Sequence, residues 1–445
     1  MPTLRTTTAA HPTALTALAS LLALGACQVE AELALEPTGQ SITEARSDVP
    51  RNLHPSVPAA DAEALRAGNT AFAFDLFDAL APGDANFFCS PASVSVALAM
   101  TYAGAKGDTA TQMADALHFT LPSAALHPAF DELLLELEAR DIALHETVDG
   151  PKSVKLAFAN AAWAQKDYAF VPAYLDTLAA SYGAGVKLLD FGADPAGATV
   201  AINDWVAEQT EQKILDLIPE GALGPLTRLV LTNTLYFYGS WQTTFAEELT
   251  APATFHAPTG DVSADTMHAA LSTQYAEGDG WQLADLPYDG GALVMTIVLP
   301  AAGRFAEIRD GLSADWLAQA DAARAARQTA LALPKFRFTW GSESLEPALE
   351  SLGMVDAFDP TKADFTGMEV TGELHVSDVI HQAFVGVDES GTEAAAATAV
   401  IMSGNGGPDA TLTADRPFVF LIRDHATGAV LFVGQVTDPT NPTAS

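Results

Sequence analysis

The chain has 445 residues, is 49% hydrophobic and carries a formal net charge of −35. Its length and apolar content suffice for a large core. The charge excludes a sequence-blind grip on nucleic acid, and argues against a heparin-type cofactor site, because both need clustered Lys and Arg. The only cysteines, Cys27 and Cys89, exclude a disulfide framework. The acidity is spread along the chain and reads as solubility and repulsion from other anions. Neither CxxC nor HExxH occurs and no GxSxG elbow is present, so no metal, cofactor or hydrolase nucleophile is implied.

Residues 1–26 carry Arg5 early and then run from Thr13 to Ala26 without charge. That is the profile of a signal peptide. It ends in Leu24-Gly25-Ala26-Cys27, which resembles the lipobox of bacterial lipoproteins. The small residues let a peptidase approach, and Cys27 is the expected lipidation site. Gln28 lacks the Asp that retains some lipoproteins at the inner membrane. The expected location is therefore the bacterial cell surface or outer membrane, with a plain secreted, extracellular protein as the alternative. Residues 27–59 are acidic and contain Pro37, Pro50, Pro55 and Pro58, which reads as a disordered tether. A flexible coil of about 30 residues reaches roughly 30 Å.

Residues 60–440 show no dividing linker. Apolar runs alternate with short turns, as in a single large α+β domain. In chain order the informative segments are Asn86–Ser93, Ile202–Val206, Leu231–Trp241, His375–Ala399 and the pair Arg416–Arg423 and Gly428–Val436. Cys89 reads as a small buried apolar residue. Gly404-Asn405-Gly406-Gly407 is not a phosphate loop, because no strand–helix context surrounds it.

The run from Val387 to Ala399 is the most unusual. Read with a period of two, one face carries Thr392, Ala394, Ala396 and Thr398, and the charge of Glu393 falls on the other. A strand sliding between two existing strands needs such a thin, uncharged face. Gly391 supplies a joint before it. An Ala-rich helix over Glu389–Ala397 fits the same residues, so periodicity leaves both open. Roughly 28 residues separate Glu389 from Pro417, which is long for a connection inside a compact domain and points to function.

The stretch His375–Ala395 resembles the strand and hinge that precede the reactive-centre loop of serpins. Asn86–Ser93 resembles their shutter segment, Ile202–Val206 their helix F, and Leu231–Trp241 the central strand of sheet A ending at the breach tryptophan. The last two segments resemble their C-terminal strand pair. The resemblance implies three β-sheets, about eight to nine helices and an exposed reactive-centre loop over about 389–416. It also implies a monomeric suicide-substrate inhibitor of an endopeptidase, which is not itself an enzyme. A protease cuts the loop and forms an acyl-enzyme. The loop then enters sheet A and the attached protease is trapped. Loop insertion of this kind is long established for the family.

The hinge comprises Glu389, Gly391, Thr392, Glu393, Ala394, Ala395, Ala396 and Ala397. Measured by the family's spacing from Glu389, the reactive bond falls at Asn405–Gly406, with Gly406 as a second candidate for P1. The small, uncharged bait from Met402 to Gly406 suits an elastase-, subtilisin- or papain-like protease. Ser90, Asn233 and His381 match shutter positions whose hydrogen bonds govern opening of the sheet, and Trp241 matches the point of loop entry. The alternative is a non-inhibitory serpin-fold binding protein. Such members often carry a bulky or charged hinge residue, unlike Gly391, Thr392 and the alanines here.

Overall fold

The computed structural model describes residues 38–80, 83–392 and 407–442. Among these residues there are nine α-helices: α1 (Ala59–Leu80), α2 (Pro91–Tyr102), α3 (Gly107–Ala116), α4 (Ser123–Glu138), α5 (Pro172–Tyr182), α6 (Pro195–Gln209), α7 (Phe305–Asp310), α8 (Ala314–Ala323) and α9 (Glu346–Ser351). One hydrogen-bonded sheet runs β1 (Thr43–Ala45), β6 (Val186–Leu189), β5 (Ala161–Gln165), β7 (Leu229–Asn233), β15 (Asp378–Val387), β16 (Gly391–Thr392), β8 (Leu235–Ser240), β4 (Gly150–Phe158) and β3 (Ile142–Thr147). β14 (Phe336–Ser344) lies on the far side of β15.

The other sheet runs β17 (Ala410–Thr413), β13 (Ala325–Pro334), β10 (Gly260–Gly278), β11 (Trp281–Pro287), β12 (Leu293–Pro300), β18 (Phe418–Asp424), β19 (Val430–Val436) and β2 (Phe87–Cys89). β9 (Ala251–Ala257) pairs with β10. The α+β architecture is the expected one. The two smaller sheets that the resemblance implies share the 19-residue β10. Its first part pairs with β9 and β13 and its end with β11, so hydrogen bonding runs continuously from one to the other.

Local chemistry explains the elements around the site. Ser90 caps α2 by accepting the N–H of Ser93, and Pro91 occupies the first turn, where its missing N–H costs nothing. α2 is buried along almost its whole length and is apolar nearly all round, as a core helix must be. β12, β18 and β19 are buried at every residue, so they read as mostly apolar runs, broken by Thr296, Arg423–Asp424 and Gln435, rather than as alternating ones. Cys89 is free and fully buried in β2, and burial pushes its thiol well up, consistent with a packing role.

One boundary needs correction. The disordered tether expected over 27–59 does not extend through its second half. Residues 38–58 are docked on the domain. β1 adds an edge strand beside β6, Gln40 bonds to the turn before α6, and Arg51 pairs with Asp131 and Glu138 of α4. Composition suggested disorder, but a few specific partners on the folded domain hold this segment.

Candidate functional site

β15 and β7 pair in parallel only at one end, over Asp378–His381 and Val230–Asn233. At the other end β16 lies between β15 and β8 and is antiparallel to both. Thr392 stands opposite Val387 and Gly239, and Gly391 opposite Ser240. The beginning of the small-residue run is therefore a strand, entering the sheet in the manner the period-two reading required. Thr392 is 2% exposed, as expected for the thin face. Gly391 is required for a different reason from the expected joint. A Cβ there would lie 2.0 Å from the Gly239 carbonyl oxygen and 2.8 Å from Ser240 Cα, so only glycine permits this approach.

The chain reaches β16 through a tight turn. The Asp388 N–H donates to the Gly391 carbonyl (3.0 Å), and its Oδ1 accepts from the N–H of Ser390 (2.9 Å) and Gly391 (3.3 Å). Burial raises the Asp388 carboxyl above its ordinary range.

Glu389 is pinned on three sides. Its carbonyl accepts the Phe245 N–H (2.9 Å), its carboxylate accepts the Thr250 hydroxyl (2.8 Å), and Lys335 Nζ pairs with it at 2.8 Å. Burial pushes its carboxyl up, but these bonds outweigh that and hold it below the ordinary carboxylate range. Trp241 holds the neighbouring backbone. Its N–H donates to the Ser390 carbonyl (2.8 Å) and its Nε1–H to the Asp388 carbonyl (2.9 Å). Its ring stacks on Tyr288 with centroids 4.6 Å apart, and the Tyr288 hydroxyl lies 2.8 Å from Thr392 Oγ1. Trp241 thus sits beside β16, where the strand enters between β15 and β8.

The shutter residues also come together. The Ser90 N–H donates to His381 Nε2 (3.1 Å), and His381 Nδ1–H donates to the Asn233 carbonyl (3.0 Å). Ser90 Oγ donates to the Leu431 carbonyl of β19 at 2.8 Å. His381 is fully buried, and burial pulls its pKa down to about 4, so it is a neutral imidazole with the proton on Nδ1. Asn233 joins this network through its main chain. Its side-chain Oδ1 and Nδ2, like Thr234 Oγ1 and Gln382 Oε1, have no hydrogen-bond partner among the described residues.

Glu393, Ala394, Ala395, Ala396, Ala397, Asn405, Gly406 and Cys27 lie outside the described residues. Sequence reasoning missed Tyr288, Lys335, Thr250 and Phe245. None sits in a local motif. Each reaches the hinge only through sheet topology, and the sole hint was Lys335 as the single residue between β13 and β14.

The family model for Serpin (serine protease inhibitor) matches residues 67–439. An uncharacterized serpin-like protein of Thermococcus kodakarensis is 37% identical over 418 residues, covering 90% of this chain and 95% of that protein. The leukocyte elastase inhibitor of Homo sapiens is 34% identical, covering 85% of this chain and all of that protein. Among solved structures, the native state of the thermophilic serpin tengpin is 26% identical with a TM-score of 0.78, covering 90% of this chain and 100% of that one. Thyroxine-binding globulin in complex with thyroxine is 27% identical with a TM-score of 0.74, covering 85% of this chain and 100% of that one.

Proposed function

The chain belongs to the serpin family of serine protease inhibitors, and from that premise we propose that it traps an endopeptidase as a suicide substrate. The supporting observation is Gly391–Thr392. The hinge already pairs with β15 on one side and β8 on the other, so the site of entry accepts an antiparallel strand. In the proposed reaction a protease cuts at Asn405–Gly406, or one bond later with Gly406 as P1. Glu393 and Ala394–Ala397 then follow Thr392 between β15 and β8. For the strand to pass further, the parallel pairing of β15 with β7 at Asp378–His381 has to give way. The Ser90–His381–Asn233 chain of hydrogen bonds ties those strands to α2 and resists that parting. The inhibitor supplies no catalytic group, and its working part is a fold whose stability is kinetic.

The bait suits an elastase-, subtilisin- or papain-like enzyme. Residues 1–26 act as the signal peptide, and Cys27 carries a lipid that holds the protein at the bacterial cell surface. The second reading is a non-inhibitory binding protein. It has thyroxine-binding globulin among its structural neighbours, a protein whose structure holds thyroxine. The buried, uncharged pair Gly391–Thr392 favours inhibition over it.

Incubation with elastase-, subtilisin- and papain-like proteases tests the proposal. The expected product is an SDS-stable covalent complex, with mass spectrometry of the released peptide placing the cut at Asn405 or Gly406. Simple cleavage by every enzyme without a complex would support the second reading.

A further inference from the structure

The direction in which the N-terminal segment leaves the domain carries a functional consequence. β1 is antiparallel to β6, β6 is parallel to β5, β5 is antiparallel to β7, and β7 is parallel to β15. β1 therefore runs the same way as β15, towards the hinge. The register fixes its height as well. Ala45 pairs with Val186, Val186 with Ala162, Ala162 with Leu231, and Leu231 with Val379. From that level β15 continues for eight more residues to Val387, about 26 Å at ~3.3 Å per residue, before the hinge begins. Traced backwards from Thr43, the chain moves still further from the hinge.

The exit is held in place. The Gln40 N–H donates to the Gly197 carbonyl at the start of α6 (3.1 Å). Its side chain donates to the Asp194 carbonyl (2.6 Å) and accepts the Asp190 N–H (2.8 Å). Gly39 lies against Val200, where a Cβ would come within 3.3 Å. Downstream, Arg51 Nε donates to Asp131 (2.8 Å), a carboxylate only 1% exposed, and the Asn52 N–H donates to the Ala180 carbonyl (2.9 Å). Residues 38–58 thus lie along the edge of the sheet, tied to α4, α5 and α6. They lie outside the stretch matched by the family model.

Both described ends of the reactive loop sit at the other pole. Thr392 is in β16. β17 pairs with β13, the strand that leads into Lys335 beside Glu389 and Phe336 opposite Val387.

We propose that residues 38–58 form an exit strap that sends the N-terminal leader out at the pole opposite the reactive loop, so that a molecule held to a lipid surface by its N-terminus presents the loop away from that surface. The attachment rests on the proposed lipid at Cys27; the pole does not. Chain length makes the orientation binding. Ten residues lie between Cys27 and Thr38, so the eleven residue steps have a contour of at most about 40 Å. A tether through residue 58 would have a contour nearer 110 Å and allow the domain to turn over. Most of the shorter contour would be consumed in passing from the exit to the hinge pole.

The test uses the mature chain with Cys27→Ser and a hexahistidine tag directly before Gln28. It is bound to phosphatidylcholine vesicles that contain a nickel-chelating lipid and a headgroup quencher. A fluorophore is placed at Asp167→Cys near the exit pole or at Glu248→Cys near the hinge. Both positions are exposed. The Asp167 probe, beyond the end of β5 that points away from the hinge, is expected to be quenched at least about twofold more than the Glu248 probe beside Thr250 and the hinge, with roughly 26 Å of β15 between the two levels. Equal quenching, or stronger quenching at Glu248, overturns the proposal. Leu226→Cys, which is 79% exposed beside the start of β7, replaces Asp167→Cys if that variant does not fold. Gln40→Ala with Arg51→Gln, by loosening the strap, should shrink the difference, and an unchanged difference would mean that the strap does not set the orientation. Incorporation of a palmitate analogue in cells tests the lipid at Cys27 separately. Its absence would remove the anchor and leave the pole geometry standing.

Discussion

Thr392→Arg is the most informative substitution at the hinge. Thr392 is 2% exposed, stands between Val387 and Gly239, and meets the Tyr288 hydroxyl at 2.8 Å. Removing that hydrogen bond costs about 1 kcal/mol. A guanidinium at the same place has to be buried beside Tyr288, without a carboxylate partner at that position, which costs about 3 kcal/mol or more after relaxation. The arginine avoids this by keeping the hinge out of the sheet. The same penalty then applies to the inserting strand, and about 3 kcal/mol slows insertion roughly a hundredfold. Deacylation is unaffected and wins the competition. Quantitative gel analysis with an inhibited protease should show the variant cleaved with little covalent complex, whereas Thr392→Ala, which loses only the hydrogen bond, keeps the complex. Equal complex formation by Thr392→Arg and the parent chain would refute the insertion reasoning.

Two further outcomes follow from the geometry. His381 has a folded pKa of about 4 against an ordinary 6.5. Between those values the unfolded chain binds the proton and the folded one does not. The neutral His381 therefore leaves stability intact above pH 6.5, and stability falls progressively as the pH drops from 6.5 to about 4. The full loss is about 3 kcal/mol at ~1.4 kcal/mol per pKa unit. Denaturant titrations across that range should show the slope, and His381→Gln should remove the His381 share of it, leaving that of the buried His127, which burial also pulls down to about 4. Arg51→Gln leaves Asp131 buried without its cation. It should cost about 2 kcal/mol or more and raise amide exchange across residues 38–58, with unchanged exchange there arguing that the strap does not depend on the pair.

The central strands were readable because Leu229–Leu231 and Phe418–Ile422 are unbroken apolar runs bounded by other strand-like segments. The hinge was half readable. Period two and helical propensity competed over Gly391–Ala397. The decision for the described part rests on the close approach of Gly391 to the Gly239 carbonyl, a tertiary contact that no local pattern encodes. The strap was not readable at all. Its prolines and acids look like a solvated linker, and it is held by Gln40 and Arg51, whose partners lie 154 and 80 residues away. The shutter was recognisable from Ser90 and His381, but the choice of the Asn233 carbonyl over its amide depends on where the imidazole meets the strand.

Strand insertion after cleavage is read out by the thermal midpoint of the loop-cleaved chain against that of the intact one. If residues beyond Thr392 enter between β15 and β8 once the Asn405–Gly406 region is cut, the new strand completes the pairing of both neighbours and the midpoint rises sharply. An unchanged or lower midpoint after complete cleavage would contradict insertion, and with it the inhibitory mechanism.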